Sequence, residues 1–380
     1  MAKAGFSMVG LDIGTSGIRA VELQTSHKSP QPTIARAAWT ALPSGVLDDG
    51  VLLDPKALTR TLKQLWRRGH FKRRKVAFSV PSASVLTRQI DLPWMEPSDF
   101  RSALRYQAMD ALPMDIDSVQ LDYHLLERRV RIDSKGSTHD ENRILIVAAE
   151  LAQTRALAQA IREANLEPVI ADHAPLALIR SVCQGQVTRD SHVRAIVDIG
   201  AQQMTVIVHA QGQPLFIRVL SPAGGSLATE AIAVELGLSL DESEQLKRAT
   251  DLNAPVPVLV PVAESSVFSA PFDIPLPAER QQDSRVVGAV NSWASSIVTE
   301  VRNSLDYYHS GEHAASVVEL TCVGQGASMP GLIERIATQL PYPVTQAPPW
   351  MGLSGGERLK HQPVNSQLAL AIGLATARST

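Results

Sequence analysis

The sequence contains few cysteines and no long apolar run. Its two cysteines, Cys183 and Cys322, are too few for a disulfide framework, and no histidines stand beside them at zinc-ligand spacing. No uncharged stretch of about 18 residues occurs, and no signal-peptide core follows the N-terminal Met-Ala-Lys. These absences predict a cytoplasmic protein with reduced thiols that does not cross a membrane by itself.

Charge of either sign is nearly balanced, because the formal net charge is −2 over 380 residues. The net charge of the protein therefore creates no electrostatic field that attracts nucleic acid or anionic lipid. The local exception is residues 66–75, Trp-Arg-Arg-Gly-His-Phe-Lys-Arg-Arg-Lys, which carry six Lys or Arg in ten positions. Proximity to an anionic leaflet or a solvated helix end would each explain this cluster. The lack of interleaved aromatic residues argues against nucleic acid.

The composition is that of a globular protein, with 44% hydrophobic and 19% charged residues, and the chain is long enough for several domains. Apolar periodicity predicts strands at 9–14, 17–23, 33–40, 75–80, 85–92, 118–128, 143–149, 194–200, 205–210, 215–220 and 317–324. It predicts helices after Asp54, after Gly225, and at 97–112, 151–165, 242–249, 286–308, 331–339 and 367–377. Six prolines within 251–284 predict a long loop or an extended hairpin.

An internal repeat is the most informative feature of the sequence. Val9-Gly-Leu-Asp12-Ile-Gly14 recurs as Ala195-Ile-Val-Asp198-Ile-Gly200, and the two aspartates lie 186 positions apart (198 minus 12). One Asp-Ile-Gly is often ordinary turn chemistry. Two copies about half a chain apart, each ending an apolar strand, favour two related lobes with a functional turn in each.

Such a turn suits phosphate chemistry. A carboxylate at the end of a strand can hold Mg²⁺ through water, and glycine allows backbone N–H groups to approach phosphate closely. We therefore expect Asp12 and Asp198 to hold Mg²⁺. The expected phosphate-binding residues are Gly14, Thr15, Ser16 and Gly17 in the first turn, and Gly200 and Thr205 in the second.

At these residues the chain resembles the actin-like ATPase superfamily of actin, heat-shock chaperone ATPases, sugar kinases and FtsA. More closely, it resembles the PilM family of cytoplasmic actin-like proteins in type IV pilus assembly. VGLDIGTSGIRAVEL at 9–23 is similar to that family's first phosphate segment, with Arg19 where the family often has Lys. ALPMDIDSVQLDYHLL at 111–126 resembles a stretch of the module inserted in the first half of that family.

The resemblance implies an α/β actin-like ATPase fold, with two related lobes around a nucleotide cleft and an inserted α+β module in the first lobe. The implied limits are 1–83 with 167–190 for the first lobe and 84–166 for the module. The second lobe would comprise 191–235 with 316–380, and residues 236–315 would form its subdomain with the proline-rich loop.

The resemblance also implies ATP or ADP with Mg²⁺ as ligands. Gly224 and Gly225 precede a helix, and Glu244 and Lys247 follow at i, i+3 spacing, where the family faces ribose and base. A solvated ion pair is the alternative for Glu244 and Lys247. Gly324 and Gly326 resemble a glycine-rich adenosine turn that Gln325 interrupts. If position 325 needs a positive φ, the glutamine is strained and adenine affinity falls.

The same comparison predicts slow ATP turnover at most. Where the family pattern often reads Asp-x-Glu, this chain has Asp172-His-Ala174. Asp172 is the remaining candidate for positioning the attacking water, and Ala174 supplies no carboxylate. Without the second acid, we expect a slow ATPase or none.

The resemblance implies a scaffold that captures the cytoplasmic N-terminal segment of a PilN-like membrane protein in a groove between the first lobe and the module. Further implied partners are other platform and motor proteins of pilus assembly and a second copy of the chain. The protein would then be cytoplasmic, peripheral to the inner membrane through its partners. The alternatives are a small-molecule kinase of the same fold, which needs an acceptor site and a base, and an FtsA-like division filament, which needs a membrane-binding tail helix.

Overall fold

The computed structural model describes residues 8–26, 29–113, 115–132, 138–183, 191–254, 283–311, 314–346, 353 and 365–377. Nearly all of the predicted proline-rich loop lies outside these residues. Within the described part of the chain, no helix is both long and apolar enough to cross a bilayer.

The first half of the chain mixes long strands with four helices. Its elements are β1 (Val9–Gly14), β2 (Gly17–Ser26), β3 (Ser29–Ala41), β4 (Leu47–Asp48), β5 (Val51–Leu52), α1 (Pro55–Arg68), β6 (Lys75–Val80), β7 (Val85–Pro93), α2 (Pro97–Ala111), β8 (Val119–Ile132), β9 (Thr138–Glu150), α3 (Leu151–Glu163), β10 (Glu167–His173) and α4 (Ala174–Val182).

The second half repeats the same order of three strands before its helices. Its elements are β11 (Val193–Ile199), β12 (Met204–Ala210), β13 (Gln213–Leu220), α5 (Ser226–Leu236), α6 (Leu240–Ala249), α7 (Ser284–His309), β14 (Val317–Val323), α8 (Leu332–Gln339), β15 (Val344–Gln346) and α9 (Ala369–Ala375).

Two mixed five-stranded sheets form the two lobes. The first has the order β10-β6-β1-β2-β3 and the second the order β13-β12-β11-β14-β15. In each lobe the Asp-Ile-Gly strand pairs antiparallel with the strand that follows it and parallel with a later strand, β6 for β1 and β14 for β11. Because the two sheets are built alike, the repeated aspartates end equivalent strands.

The inserted module has a sheet and a core of its own. Its sheet has the order β7-β9-β8, and α2 packs on it through Phe100, Leu104 and Ala108 against side chains such as Ile144 and Ile146. The next helix, α3, packs on the first lobe and not on the module. Its residues Leu157 and Ile161 join the first-lobe core with α1, although the predicted limits place α3 in the module.

Two helices connect the lobes. α4 packs Leu178 and Ile179 against the second sheet at Ile196 and Val323. α9 lies on the first sheet, where Ile372 contacts the cluster that contains Val21, although the predicted limits group it with the second lobe. Each helix is thus in contact with the other half of the chain.

Most predicted elements agree with the structure, although β2, β3, β8 and β9 extend three to five residues beyond a predicted end, and there are three further differences. The prediction misses β10 and α4 because Asp172-His-Ala-Pro175 resembles a loop, whereas Pro175 lies in the first turn of α4, where its missing N–H costs no hydrogen bond. The helix predicted at 367–377 is a 3-10 turn over Asn365–Leu368 followed by α9. The short strands β4, β5 and β15 are also missed.

Candidate functional site

A cavity lies between the two sheets where β1 and β11 end. It holds about 900 Å³ of empty space, part of it open to solvent. Asp12 is buried at its floor, and Asp198 reaches it from the other lobe. Nine of the predicted site residues line it: Asp12, Gly14, Thr15, Ser16, Arg19, Asp198, Gly200, Thr205 and Gly324. The repeat therefore brings both lobes to one site.

The electrostatics of this floor are those of two crowded carboxylates. Burial raises the pKa of Asp198 to about 7, the neighbouring Asp12 raises it in the same direction, and the Arg19 guanidinium opposes both. Burial also raises the pKa of Asp12, against the charge and hydrogen bond of Arg19. A cation bound near Asp12 and Asp198 would therefore stabilise their charged forms, because it offsets the repulsion between the two carboxylates.

Arg19 spans the cleft. It faces Asp12 in the β1–β2 register, and its Nη1 lies 3.4 Å from Asp12 Oδ2. Its Nη2 donates to Gln325 Oε1 at 2.9 Å, and Ser16 Oγ donates to the same oxygen at 2.9 Å. A contact of 3.4 Å joins Nη2 to Gln367 Oε1. The Gln325 side chain thus accepts two hydrogen bonds from the first lobe inside the cleft.

Gln325 is not strained, which corrects the conditional prediction of strain. Its φ is −69°, and the positive φ of 88° falls on Gly324. A Cβ at Gly324 would overlap the Asp198 carboxylate, so glycine is required by both conformation and space. The interruption of the glycine-rich turn therefore contributes a polar side chain to the cleft without distorting the backbone.

The second turn is held by backbone hydrogen bonds to the start of α5. Gly225 N donates to Gly200 O at 3.1 Å, and Ser226 N donates to Ala201 O at 2.7 Å. A Cβ at Gly224 would overlap the Ala201 carbonyl. Gly224 and Gly225 do not line the cavity. These two glycines instead hold the second turn, Gly200 and Ala201, which lines the cavity.

Glu244 and Lys247 also lie outside the cavity lining. Lys247 is buried, and its Nζ donates to Gly225 O at 2.9 Å and to Thr229 Oγ1 at 2.8 Å. Glu244 accepts from Thr229 Oγ1 at 2.7 Å. Lys247 therefore contacts the backbone of the second turn and Glu244 contacts Thr229, while a ribose contact of this pair stays a prediction.

Three further predicted residues do not line the cavity. The Asp172 carboxylate forms an ion pair with Arg180 and accepts from the backbone N of His173. Gly17 closes the β1–β2 hairpin, where its carbonyl accepts from Arg19. Gly326 packs closely on Ile199. Ala174, at the place of the missing acid, does line the cavity.

Sequence reasoning missed a hairpin that bridges the two lobes. β4 and β5 are joined by Asp49-Gly50 with φ of 39° and 82°, the two-residue turn that Asp-Gly favours. Asp49 Oδ1 accepts from Gln203 Nε2 at 2.9 Å and from Ser221 Oγ at 2.8 Å. Gln202 Nε2 donates to Asp48 Oδ1 at 2.6 Å. The Asp-Gly dipeptide was the available signal for the turn, but no signal indicated its docking partner.

The donor set fits Mg²⁺ held mainly through water. The buried carboxylate of Asp12 and the half-buried carboxylate of Asp198 supply hard oxygen ligands from opposite lobes, and Mg²⁺ typically keeps several waters and bridges to phosphate. The described residues contain no group of three or more His, Cys, Asp or Glu side chains arranged to hold a metal directly. The two glycine-containing turns beside the carboxylates fit phosphate groups.

Comparison with known proteins gives the family. The model of the type IV pilus assembly protein PilM family matches residues 10–286. A solved PilM-PilN type IV pilus biogenesis complex has a chain that is 23% identical, with 97% of each chain covered and a TM-score of 0.79.

Two more distant structures are also similar. The ethanolamine utilization protein EutJ from Carboxydothermus hydrogenoformans is 15% identical, with 97% of this chain and 88% of that chain covered and a TM-score of 0.53. MreB 5 of Spiroplasma citri bound to AMPPNP is 13% identical, with 94% and 96% covered, but its TM-score of 0.47 is too low for a detailed comparison.

These findings confirm the predicted α/β actin-like ATPase fold with two mixed-sheet lobes. The family match covers more than half of the chain and includes the first Asp-Ile-Gly strand, the inserted module and the second Asp-Ile-Gly strand. The chain belongs to the type IV pilus assembly protein PilM family.

Proposed function

We propose that this protein is a nucleotide-binding scaffold of a type IV pilus assembly platform. It binds Mg-ATP or Mg-ADP between its lobes and captures the cytoplasmic N-terminal segment of a PilN-like membrane protein. By this proposal it is cytoplasmic and held at the inner membrane by partners. One observation carries the nucleotide proposal: Asp12 and Asp198, which end equivalent strands of the two lobes, meet at one cavity beside glycine-containing turns.

The two turns support phosphate binding from both sides. Thr15 and Ser16 of the first turn and Thr205 of the second offer hydroxyl groups at the cavity, and Arg19 offers a guanidinium. A ligand that contacts both turns favours the closed arrangement of the lobes, because those contacts form together only when the lobes are close. Mg²⁺ would supply the positive charge between the carboxylates and the phosphates.

Slow turnover follows from the polar groups at the cavity. Among the described residues that line it, Asp12 and Asp198 are the only carboxylates, and both are assigned to Mg²⁺. No other acid is then available there as a general base for water or for a kinase acceptor. We therefore propose at most a slow ATPase, and the cavity gives no support to the kinase alternative.

Mg-ATP binding by the purified chain tests the nucleotide proposal. Asp12→Ala and Asp198→Ala are each expected to weaken binding at least tenfold, because each removes one half of the metal site. Asp110→Ala is the matched control, since it removes an exposed carboxylate of α2, far from the cavity lining. Equal affinity of wild type and both cleft variants would refute the proposal, as would failure of the wild type to bind.

Phosphate release by the same proteins tests the proposed rate. We expect release by the wild type far below the usual kinase range of about 1–100 s⁻¹. Asp172→Ala tests whether Asp172 positions the attacking water or only pairs with Arg180. Loss of the remaining phosphate release, with Mg-ATP binding retained, would assign water positioning to Asp172. An unchanged rate would limit Asp172 to its ion pair with Arg180.

The inserted module is the proposed site of partner capture. It exposes large apolar side chains, with Trp94 at 46%, Tyr106 at 69% and Met109 at 51% of their full accessible surface. Tyr106 and Met109 lie three positions apart on one face of α2. Two large exposed apolar side chains on one helix face favour a protein partner.

Excision of the module tests this assignment. Val85 and Ala149 are paired across β7 and β9, so replacing 85–149 with a short Gly-Ser linker joins neighbouring chain ends. α3 stays in place because it fills the first-lobe core. We expect capture of a PilN-like N-terminal peptide to be abolished while Mg-ATP binding is retained. Retained capture would overturn the assignment of the module.

A further inference from the structure

The outer face of α1 concentrates positive charge that the proposed function does not use. Residues 55–75 contain nine Lys or Arg and no Asp or Glu. Since the whole chain carries a formal charge of −2, the remaining residues together carry −11 (−2 minus 9). Positive charge is therefore concentrated on one short segment of a chain whose remaining residues are together acidic.

Helix geometry places four of the five cations of α1 on one face. Lys56, Arg60, Lys63 and Arg67 are spaced by four, three and four positions and are all exposed. The opposite face packs Leu58, Leu62 and Leu65 into the first-lobe core. Arg68 and Lys72 extend the exposed group at its C-terminal end. These six cations form the basic face, whose helical part from Lys56 to Arg68 is about 18 Å long.

The basic face is not neutralised within the described residues. Of the nearby cations, Arg73 donates to Leu23 O at 2.7 Å and lies 3.5 Å from Glu22, and Lys75 lies 4.0 Å from Glu167. The six cations of the basic face form no ion pair with any described residue. They are therefore available to an external anionic partner.

The helix dipole does not account for this arrangement. Arg67 and Arg68 in the last turn complement it, but Lys56 lies in the first turn, where a cation opposes it and where no acidic residue is present. A structural role would concentrate the cations at the C-terminal end. A continuous charged stripe from the first turn to the last instead matches an extended anionic surface.

The form of the basic face favours a lipid surface over nucleic acid. Trp66 does not project as a stacking platform, because its Nε1 donates to Arg73 O at 2.9 Å and its ring packs against Phe71 at 5.0 Å. The convex outer face of one helix forms no groove that could enclose a strand, and sequence-tolerant binding of single strands uses a charged groove with aromatic platforms. Binding to a flat array of anionic lipid headgroups requires only positive charge on the protein surface.

We propose that the basic face binds the surface of bilayers rich in anionic phospholipid. Each cation near such a surface contributes about 1 kcal/mol, so several together hold the protein against the bilayer with α1 parallel to it. This contact goes beyond the proposed capture of a membrane-protein segment, because it requires neither that partner nor nucleotide. It would restrict the protein to the surface where its partner emerges.

Sedimentation with vesicles tests the proposal on the full chain, without nucleotide or partner. Vesicles of phosphatidylcholine alone are compared with vesicles that also contain phosphatidylglycerol. We expect binding only to the anionic vesicles, weakening as salt shortens the range of the interaction. Arg60→Ala with Arg67→Ala should weaken that binding roughly 30-fold, since two surface charges are lost.

The matched control is Arg88→Ala with Arg128→Ala, which removes two exposed arginines of the module and gives the same net charge. It is expected to bind like the wild type, and the thermal unfolding midpoint should stay unchanged in both double variants. An equal loss of vesicle binding in the control would show that binding depends only on the net charge of the protein, and this would overturn the proposal. Absence of wild-type binding, or binding of duplex nucleic acid in preference to vesicles, would overturn it as well.

Discussion

At the scale of single residues, the cleft depends on one buried cation. Arg19 and Asp12 are 5% and 9% exposed, and Arg19 is the only Lys or Arg among the described residues that line the cavity. Its guanidinium opposes the raised pKa of both aspartates. In the absence of metal, Arg19 therefore limits the repulsion between the two halves of the proposed Mg²⁺ site.

Removing this cation should be costly. Arg19→Met leaves Asp12 buried without its partner, and loss of one member of a buried pair typically costs about 3–5 kcal/mol of unfolding free energy. Urea unfolding measures the change. Adding Asp12→Asn to Arg19→Met should restore much of the loss, because the orphan charge is then gone. Equal stability of the Arg19→Met variant and wild type would contradict the role of Arg19.

A second prediction at this scale concerns acid stability. Burial lowers the pKa of His173 to about 4, and burial lowers that of His209 to about 4 as well, helped by Arg194. Both rings are neutral in the folded protein, while the unfolded chain binds protons near pH 6.5. The contribution of these two histidines to stability is thus complete above about pH 6.5 and is lost as the pH falls toward 4.

Each histidine should contribute up to about 3 kcal/mol to this loss. The free energy of unfolding of the wild type minus that of His173→Gln should fall between pH 7 and pH 4.5. This difference removes the effect of Asp198, whose raised pKa acts in the opposite direction in both proteins. His70→Gln is the control, because His70 is exposed. A pH profile of His173→Gln that parallels the wild type would exclude His173 as a cause.

At the scale of elements, glycine sets how closely α4 and α9 approach. A Cβ at Gly373 of α9 would overlap the carbonyl of Ala177 in α4, and one at Gly10 of β1 would overlap the carbonyl of Ala371 in α9. α9 is thus placed between β1 and α4 by two glycines at contact points. By contrast, a Cβ at Gly288 of α7 would meet no atom within 4 Å.

The same substitution should therefore have opposite effects at two helical sites. Gly373→Ala forces α4 and α9 apart and should lower unfolding free energy by about 1–3 kcal/mol. Gly288→Ala should raise it by about 0.5–1 kcal/mol, because glycine in a helix interior costs that much relative to alanine. Thermal unfolding of both variants measures these changes. Destabilisation by Gly288→Ala would show that the free space around the glycine does not determine the effect of the substitution.

At the scale of the whole molecule, two separate groups of hydrogen bonds hold the lobes together. Gln325 bridges to Ser16 and Arg19 within the cleft, and the β4–β5 hairpin bridges to the second turn at its edge. The inserted module also reaches the second lobe, where Gln89 Nε2 donates to Leu215 O at 2.8 Å. Closure is thus supported within the cleft, at the hairpin and at the module.

The hairpin offers a test of lobe closure that leaves the metal site intact. Asp49→Ala removes the acceptor for Gln203 and Ser221 and should speed ADP release about fivefold, since these exposed bonds contribute only about 1 kcal/mol together. Stopped-flow release of a fluorescent ADP analogue measures the rate. Asp140→Ala, in the exposed end of β9, is the control. Release from Asp49→Ala at the wild-type rate would exclude the hairpin from closure.

The sequence by itself determined the features that depend on near neighbours. Asp54 caps α1 by accepting from Ala57 N at 2.9 Å, as its position before Pro55 predicts. β1 and β6 begin and end at the predicted residues, because a short apolar run defines a buried strand. The repeat of Asp12 and Asp198 predicted one site shared by two lobes.

Only the tertiary structure decided which distant groups meet. Ser16 and Gln325 are separated by 309 positions, and Asp49 and Gln202 by 153. Lys247 turned inward to Gly225 because the α5–α6 packing brings its ammonium to that carbonyl. Local propensity and periodicity act over a few residues, whereas these contacts depend on the relative placement of whole sheets and helices. Residue patterns therefore located the site, and packing assigned the side chains that complete it.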